Sequence, residues 1–179
     1  MADSICLGNI QDLYEANVNM MVAKRALPDV VAFLIDQRGA AQAEQDLKDI
    51  ARIITQRLFL AWYPKSRTPF KIFQEMMRIF FGNKKIKGKV LERKNGKPSK
   101  IAIRDYNCPI CPDKKKGEEV KVSEIHYCIA ISGTMEGVIS YLISENAIPY
   151  MSVSCTTTKS VGSGDDLCEH ILSLELKEE

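Results

Sequence analysis

Two stretches decide the fold of this 179-residue chain: residues 126–155, HYCIAISGTMEGVISYLISENAIPYMSVSC, and residues 165–176, DDLCEHILSLEL. Around the first, apolar residues fall at Ile125, Cys128, Ile129, Met135, Ile139, Leu142 and Ile143. That period predicts a helix with one buried face and Cys128 in its first turn. Beyond Pro149 the period becomes two, so Met151, Val153 and Cys155 are expected on one side of a strand and Ser152, Ser154 and Thr156 on the other. A last strand alternates likewise, with Cys168, His170, Leu172, Leu174 and Leu176 on one face. A helix and two strands thus each place a cysteine on an apolar side. Cys128, Cys155 and Cys168 could converge on a metal, or each could be a small core residue.

Upstream, Ile10, Leu13, Tyr14, Val18 and Met21 recur at three and four, predicting an amphipathic helix. Pro28 suits a helix's first position, and PDVVAFLIDQRG reads as a short helix closed by Gly39. A longer helix is expected over residues 43–63, ended by Pro64. Thr68 and Pro69 then make the cap and first position of PFKIFQEMMRIFFG, which Gly82 terminates. From Ile86 the pattern becomes strand: IKGKVLER, a turn at Asn95-Gly96, and KIAIRDY, a hairpin by its Asn-Gly turn. The expected fold is α+β: N-terminal helices packed with a central helix on one face of a small antiparallel four-stranded sheet. Residues 1–179 read as a single domain, with 1–82 a helical extension and 83–179 the core.

Lys plus Arg exceed Asp plus Glu by two, which carries no nucleic-acid signal. The runs Lys84-Lys85-Ile86-Lys87 and Lys114-Lys115-Lys116 stand in polar surroundings and read as a solvated hairpin and loop. No apolar run approaches the roughly 18 residues that span a bilayer, and MADSICLGNI lacks the pattern of a secretory signal, so a cytoplasmic protein without a membrane span is expected. In a reducing compartment six cysteines favour metal ligation, redox chemistry or burial over disulfides. Cys6, alone near one end, fits burial or nothing more.

Cys108-Pro-Ile-Cys111 has the spacing by which a tight turn sets two thiolates on one tetrahedral zinc. The same spacing serves a redox dithiol or an unligated turn, although the strand-to-helix step of thioredoxin-like motifs is missing. The helix carrying Phe70, Phe73, Met76, Met77, Phe80 and Phe81 is either buried or lines an apolar cavity. Gly133 and Gly137 each cost a helix about 1 kcal/mol relative to alanine, which close packing or room for a ligand would explain. His126 and His170 have no nucleophile or acid partner in a recognisable pattern. Gly162-Ser163-Gly164 lacks the context of a phosphate loop. The reading is non-catalytic, with enzymatic activity left open.

Cys128, Gly133 and Gly137 in the form C-x4-G-x3-G, followed by Cys155 and Cys168 on consecutive strands, resemble the 4-vinyl reductase, or hydrocarbon-binding, domain family over residues 100–176. The resemblance implies zinc held through those cysteines and a small apolar molecule between helices and sheet, against Phe73, Met76, Met77, Phe80, Gly133 and Gly137. It also implies a fold shared with the TRAPP vesicle-tethering subunits, and a homodimer is compatible with it. Sensor members of the family carry an acidic ligand where this chain has Ser152, and the loop from Cys155 to Cys168 is longer than usual. A fourth zinc ligand is therefore expected from Cys108 or Cys111, with His170 or His126 next. Besides a binding module with structural zinc, a TRAPP-like assembly subunit fits the resemblance. A reductase fits least, since no nucleotide or flavin motif is present and a partner would have to supply electrons.

Overall fold

The computed structural model describes residues 26–59, 62–82, 85–108, 110–111, 125–126 and 128–177. The helix expected at Ile10–Met21, Cys6, Lys84 and Lys114–Lys116 lie outside the described residues. Four helices and four strands follow in the order α1 (26–38), α2 (Ala40–Leu58), α3 (Pro69–Phe81), β1 (Ile86–Lys94), β2 (Lys97–Asp105), α4 (Ile129–Ser144), β3 (Tyr150–Lys159) and β4 (Cys168–Leu176). The strands form one antiparallel sheet in the order β1-β2-β4-β3. This is the α+β arrangement expected, with helices against a four-stranded sheet.

Local chemistry sets the boundaries. Pro69 stands at the first position of α3, where its missing N–H costs nothing, and Gly82 closes the helix with φ 61°. Asn95 and Gly96 both have positive φ, 49° and 74°, the pair that turns β1 back along β2 with the right twist. Helix α2 stops at Leu58, short of the expected Tyr63. Just beyond it Phe59 stacks on Tyr141 with ring centroids 3.9 Å apart, and the Trp62 indole N–H reaches Glu75 at 3.4 Å.

The expected alternation holds along β4, where Cys168, His170, Leu172, Leu174 and Leu176 are all buried. On β3 it fails at its start. The ladder shifts between Tyr150 and Ser152, so Tyr150 turns inward and Met151, expected beside Cys155, is 58% exposed.

Helices α3 and α4 cover the inner face of the sheet. Ile72, Phe73, Met76 and Met77 of α3 are wholly buried in a core shared with Ile101, Ile103 and Leu172. Phe70 lies against Gly88 of β1, where a Cβ would stand 2.4 Å from its ring. Helix α4 is buried on the sheet side by Met135, Ile139 and Leu142 and on the other side by α2. At that contact a Cβ on Gly133 would lie 2.4 Å from the Lys48 carbonyl oxygen, and one on Gly137 would lie 2.9 Å from Thr55 Cβ. The two glycines are thus spent on close helix–helix approach, on the face of α4 that meets α2.

Gly133→Ala is therefore expected to destabilise the protein more than Gly137→Ala. The first collides with backbone and must push α2 away, at a cost of roughly 1–3 kcal/mol. The second meets a side chain and recovers about 1 kcal/mol of helix propensity. Urea unfolding of the two variants measures the difference, and equal midpoints would contradict it.

Candidate metal centre

Asp105, the last residue of β2, is buried, and its Oδ1 accepts the Asn107 N–H at 2.8 Å, a side-chain turn that swings the chain out of the strand. The turn delivers Cys108 and Cys111 beside Cys168, because Asp105 and Cys168 are ladder partners. Cys128 arrives from a third direction as the N-cap of α4. The fourth wall is the long β3–β4 connection. Its 3-10 turn, Val161–Ser163, is fixed by Ser160 N–H to Asp165 Oδ2 at 2.7 Å and by Ser163 Oγ to the Ile125 carbonyl at 2.8 Å.

The sulfurs of Cys108, Cys111, Cys128 and Cys168 all lie within 4.8 Å of one another, and all four residues are buried. Cys111 and Cys168 stand 3.4 Å apart. A regular tetrahedron with metal–sulfur bonds of about 2.3 Å has sulfur–sulfur edges of about 3.8 Å, so small side-chain adjustments suffice to grip one ion. Outer contacts suit sulfur that carries negative charge: the Val161 N–H points at Cys168 Sγ at 3.4 Å, and Ser160 Oγ lies 3.6 Å from Cys111 Sγ.

Within the cluster Cys111 and Cys108 are driven in opposite directions. Hydrogen bonds from Cys108, Cys128 and Cys168 hold Cys111 far below the usual thiol range despite its burial. Burial, and then the hydrogen bond with Cys111, push Cys108 well up. A second and third thiolate would be repelled by the first in this dry enclosure, whereas a divalent cation would neutralise them as they form. The donor set fits a thiophilic metal with four protein ligands.

Of the five cysteines expected around a metal, four come together and Cys155 does not. It has the expected buried side, but it pairs across the sheet with Leu172, four residues along β4 from Cys168. At about 3.3 Å per residue that is roughly 13 Å too far along the strand. Burial pushes the Cys155 thiol up to about 12, and its N–H donates to Glu136 Oε2 at 2.9 Å. His170 is also outside the four. Its Nδ1 faces Ser132 Oγ at 2.9 Å and Thr157 Oγ1 at 3.1 Å, and burial lowers its pKa to about 4, leaving the imidazole neutral. His126 leads into α4 two residues before Cys128 and is half-buried.

The residues expected to line an apolar pocket fall on two sides of α4. Phe73, Met76 and Met77 lie between α3 and the sheet, and Gly133 and Gly137 face α2; the side chain of Phe80 is outside the described set. Gly137 instead borders a solvent-open groove of about 680 Å³ whose walls include Asp49, Arg52, Gln56 and Tyr141. Glu136, which the sequence reading passed over, is buried in α4 and takes Lys48 Nζ at 2.8 Å and Arg52 Nη1 at 3.2 Å from α2. A carboxylate amid SGTMEGVIS was the available signal, since a buried charge requires partners.

No protein-family model matches the chain, and no curated protein does. Among solved structures it is similar to trafficking protein particle complex (TRAPP) subunit 3 from Naegleria fowleri, covalently bound to palmitic acid. That match has a TM-score of 0.61 and 18% identity, over 90% of this chain and 99% of that one. It is also similar to the phenol-responsive sensory domain of the transcription activator PoxR with phenol, with a TM-score of 0.53 and 11% identity over 84% of this chain and 74% of that one. At these identities the likeness is one of architecture: the fold of the chain is TRAPP-like.

Proposed function

We propose that this chain is a non-catalytic binding module in which a structural zinc fixes one end of the sheet and an apolar small molecule enters the layer between α3 and the sheet. The observation that carries the zinc is the four-sulfur cluster, with its sulfurs within 4.8 Å and its walls closed by Ser160 and Val161. Four protein thiolates would fill a tetrahedral ion's coordination and leave no position for substrate, which supports a structural role. Zinc is favoured over an iron–sulfur cluster because the sulfurs stand close enough for one ion. The Cys168 and Cys128 ligands match the 4-vinyl reductase pattern that the sequence resembles, while Cys108 and Cys111 take the place of Cys155.

The ligand reading is supported by the composition of the α3 layer, where Phe73 and two adaptable methionines meet the sheet. Both fold neighbours are described with a largely apolar molecule, palmitic acid in one and phenol in the other. Micromolar affinity requires about 8 kcal/mol, and association itself costs at least about 4 more. At roughly 25 cal/mol per Å² that demands about 500 Å² of buried apolar ligand surface. A single ring buries only about 150–250 Å², so an extended hydrocarbon suits this layer better. The alternative, a TRAPP-like assembly subunit, is favoured by the exposed Phe33 of α1 and Ile50, Ile53 and Ile54 of α2.

Freshly purified, reduced protein should contain about one zinc per chain by elemental analysis and lack the visible absorption of iron–sulfur clusters. Cys168→Ser should lose the metal and much of the melting temperature, since metal binding is folding energy, while Cys155→Ser should keep the metal. Metal retained by Cys168→Ser, or below about 0.2 zinc per chain in the wild type, would refute the site. Separately, native mass spectrometry should show a hydrocarbon-like adduct, and a fluorescent fatty acid should bind at micromolar concentration. Failure of both with zinc in place would leave the assembly reading.

A further inference from the structure

The β1–β2 hairpin concentrates charge that neither the metal nor the ligand layer uses. From Lys85 to Lys100 it carries seven lysine and arginine residues against one carboxylate, Glu92, in a chain whose total excess is two. The rest of the chain is therefore net acidic. Lys87 and Lys89 point to the outer face of the sheet, because Ile86 and Gly88 between them point in, toward the core and Phe70. Across the ladder Lys94 stands opposite Lys97, while Lys87 faces Arg104, whose charge is paired with Glu169 of β4 at 2.7 Å. Like charges directly opposite destabilise a sheet, so the hairpin accepts a cost for keeping one sign of charge together.

Two features identify what that sign is for. β1 is an edge strand, and lysines there discourage strand addition; but Lys97 and Lys100 belong to an interior strand, which needs no such protection. The hairpin also exposes aliphatic surface among its charges, with Val90 38% and Leu91 44% exposed where the register shifts, and the half-exposed Tyr106 ring lies under Lys87 Nζ at 5.2 Å. Lysines mixed with exposed aliphatics and a tyrosine match an interface that is anionic outside and apolar just beneath. Six of the seven cations are lysines, point charges without the planar fork that reads bases or grips phosphates bidentately, which argues against a nucleic-acid surface.

We infer that the β1–β2 hairpin is a docking surface for an anionic lipid bilayer, with Lys87, Lys89, Arg93 and Lys94 facing headgroup charge and Leu91 entering the headgroup boundary. The test is sedimentation of the full chain with vesicles of phosphatidylcholine alone or with phosphatidylserine added, at low and at physiological salt. Wild-type protein should pellet only with the phosphatidylserine vesicles, and less so as salt rises. The double variant Lys89→Gln, Lys94→Gln should bind about 25-fold more weakly, at about five-fold per lysine, with an unchanged melting temperature because both side chains are exposed. Leu91→Ser should weaken binding while keeping the salt dependence. No pelleting with phosphatidylserine vesicles, or equal binding by the double variant, would overturn the assignment. Tighter binding to duplex DNA than to the vesicles at the same salt would do so as well, and would give the hairpin to nucleic acid.

Discussion

The fold is arranged about a helix covered on two sides. α4 lies between the sheet and α2, so each polar group it buries there must find a partner within the protein. Glu136 shows how the constraint is met. Its carboxylate takes Lys48 and Arg52 from α2 on one side and the Cys155 N–H of β3 on the other, tying three elements through one side chain. Removing either cation would strand a buried charge, which costs far more than the pair contributes when intact. Ser132, one turn earlier, does the same with Thr157 and His170. The glycines complete the arrangement by letting α2 and α4 approach closely beside these ion pairs.

The cysteine cluster depends on this arrangement and on register. α4 carries Cys128 to the sheet's end only because its other residues are seated along β3 and β4. The sulfurs would meet at one point only because Asp105 and Cys168 are ladder partners.

The elements were largely legible in the sequence because their signals are local. Pro69 and Gly82 bounded α3, Asn95-Gly96 marked the hairpin, and the alternation from Cys168 to Leu176 held to its last residue. What could not be read were relations between elements. Cys155 has the right face but the wrong height, and height along a strand is set by pairing with β4, which no window of β3 contains. Gly133 and Gly137 did signal close approach, yet the period cannot say whether the neighbour is α2 or α3. Met151 is turned outward by a shift in the ladder, which the alternation of β3 alone does not contain.

Strand β2 gives the molecule two ends. Its first residue, Lys97, adjoins the charged turn, and its last, Asp105, adjoins the cysteines; eight steps of about 3.4 Å put them roughly 27 Å apart. That is beyond two screening lengths at physiological ionic strength. The charge state of one end is therefore electrostatically silent at the other. Any communication between them would have to be mechanical, through a strand hydrogen-bonded on both edges, and such a strand is stiff. The chain is built so that its two ends can be altered independently, by selection or by design.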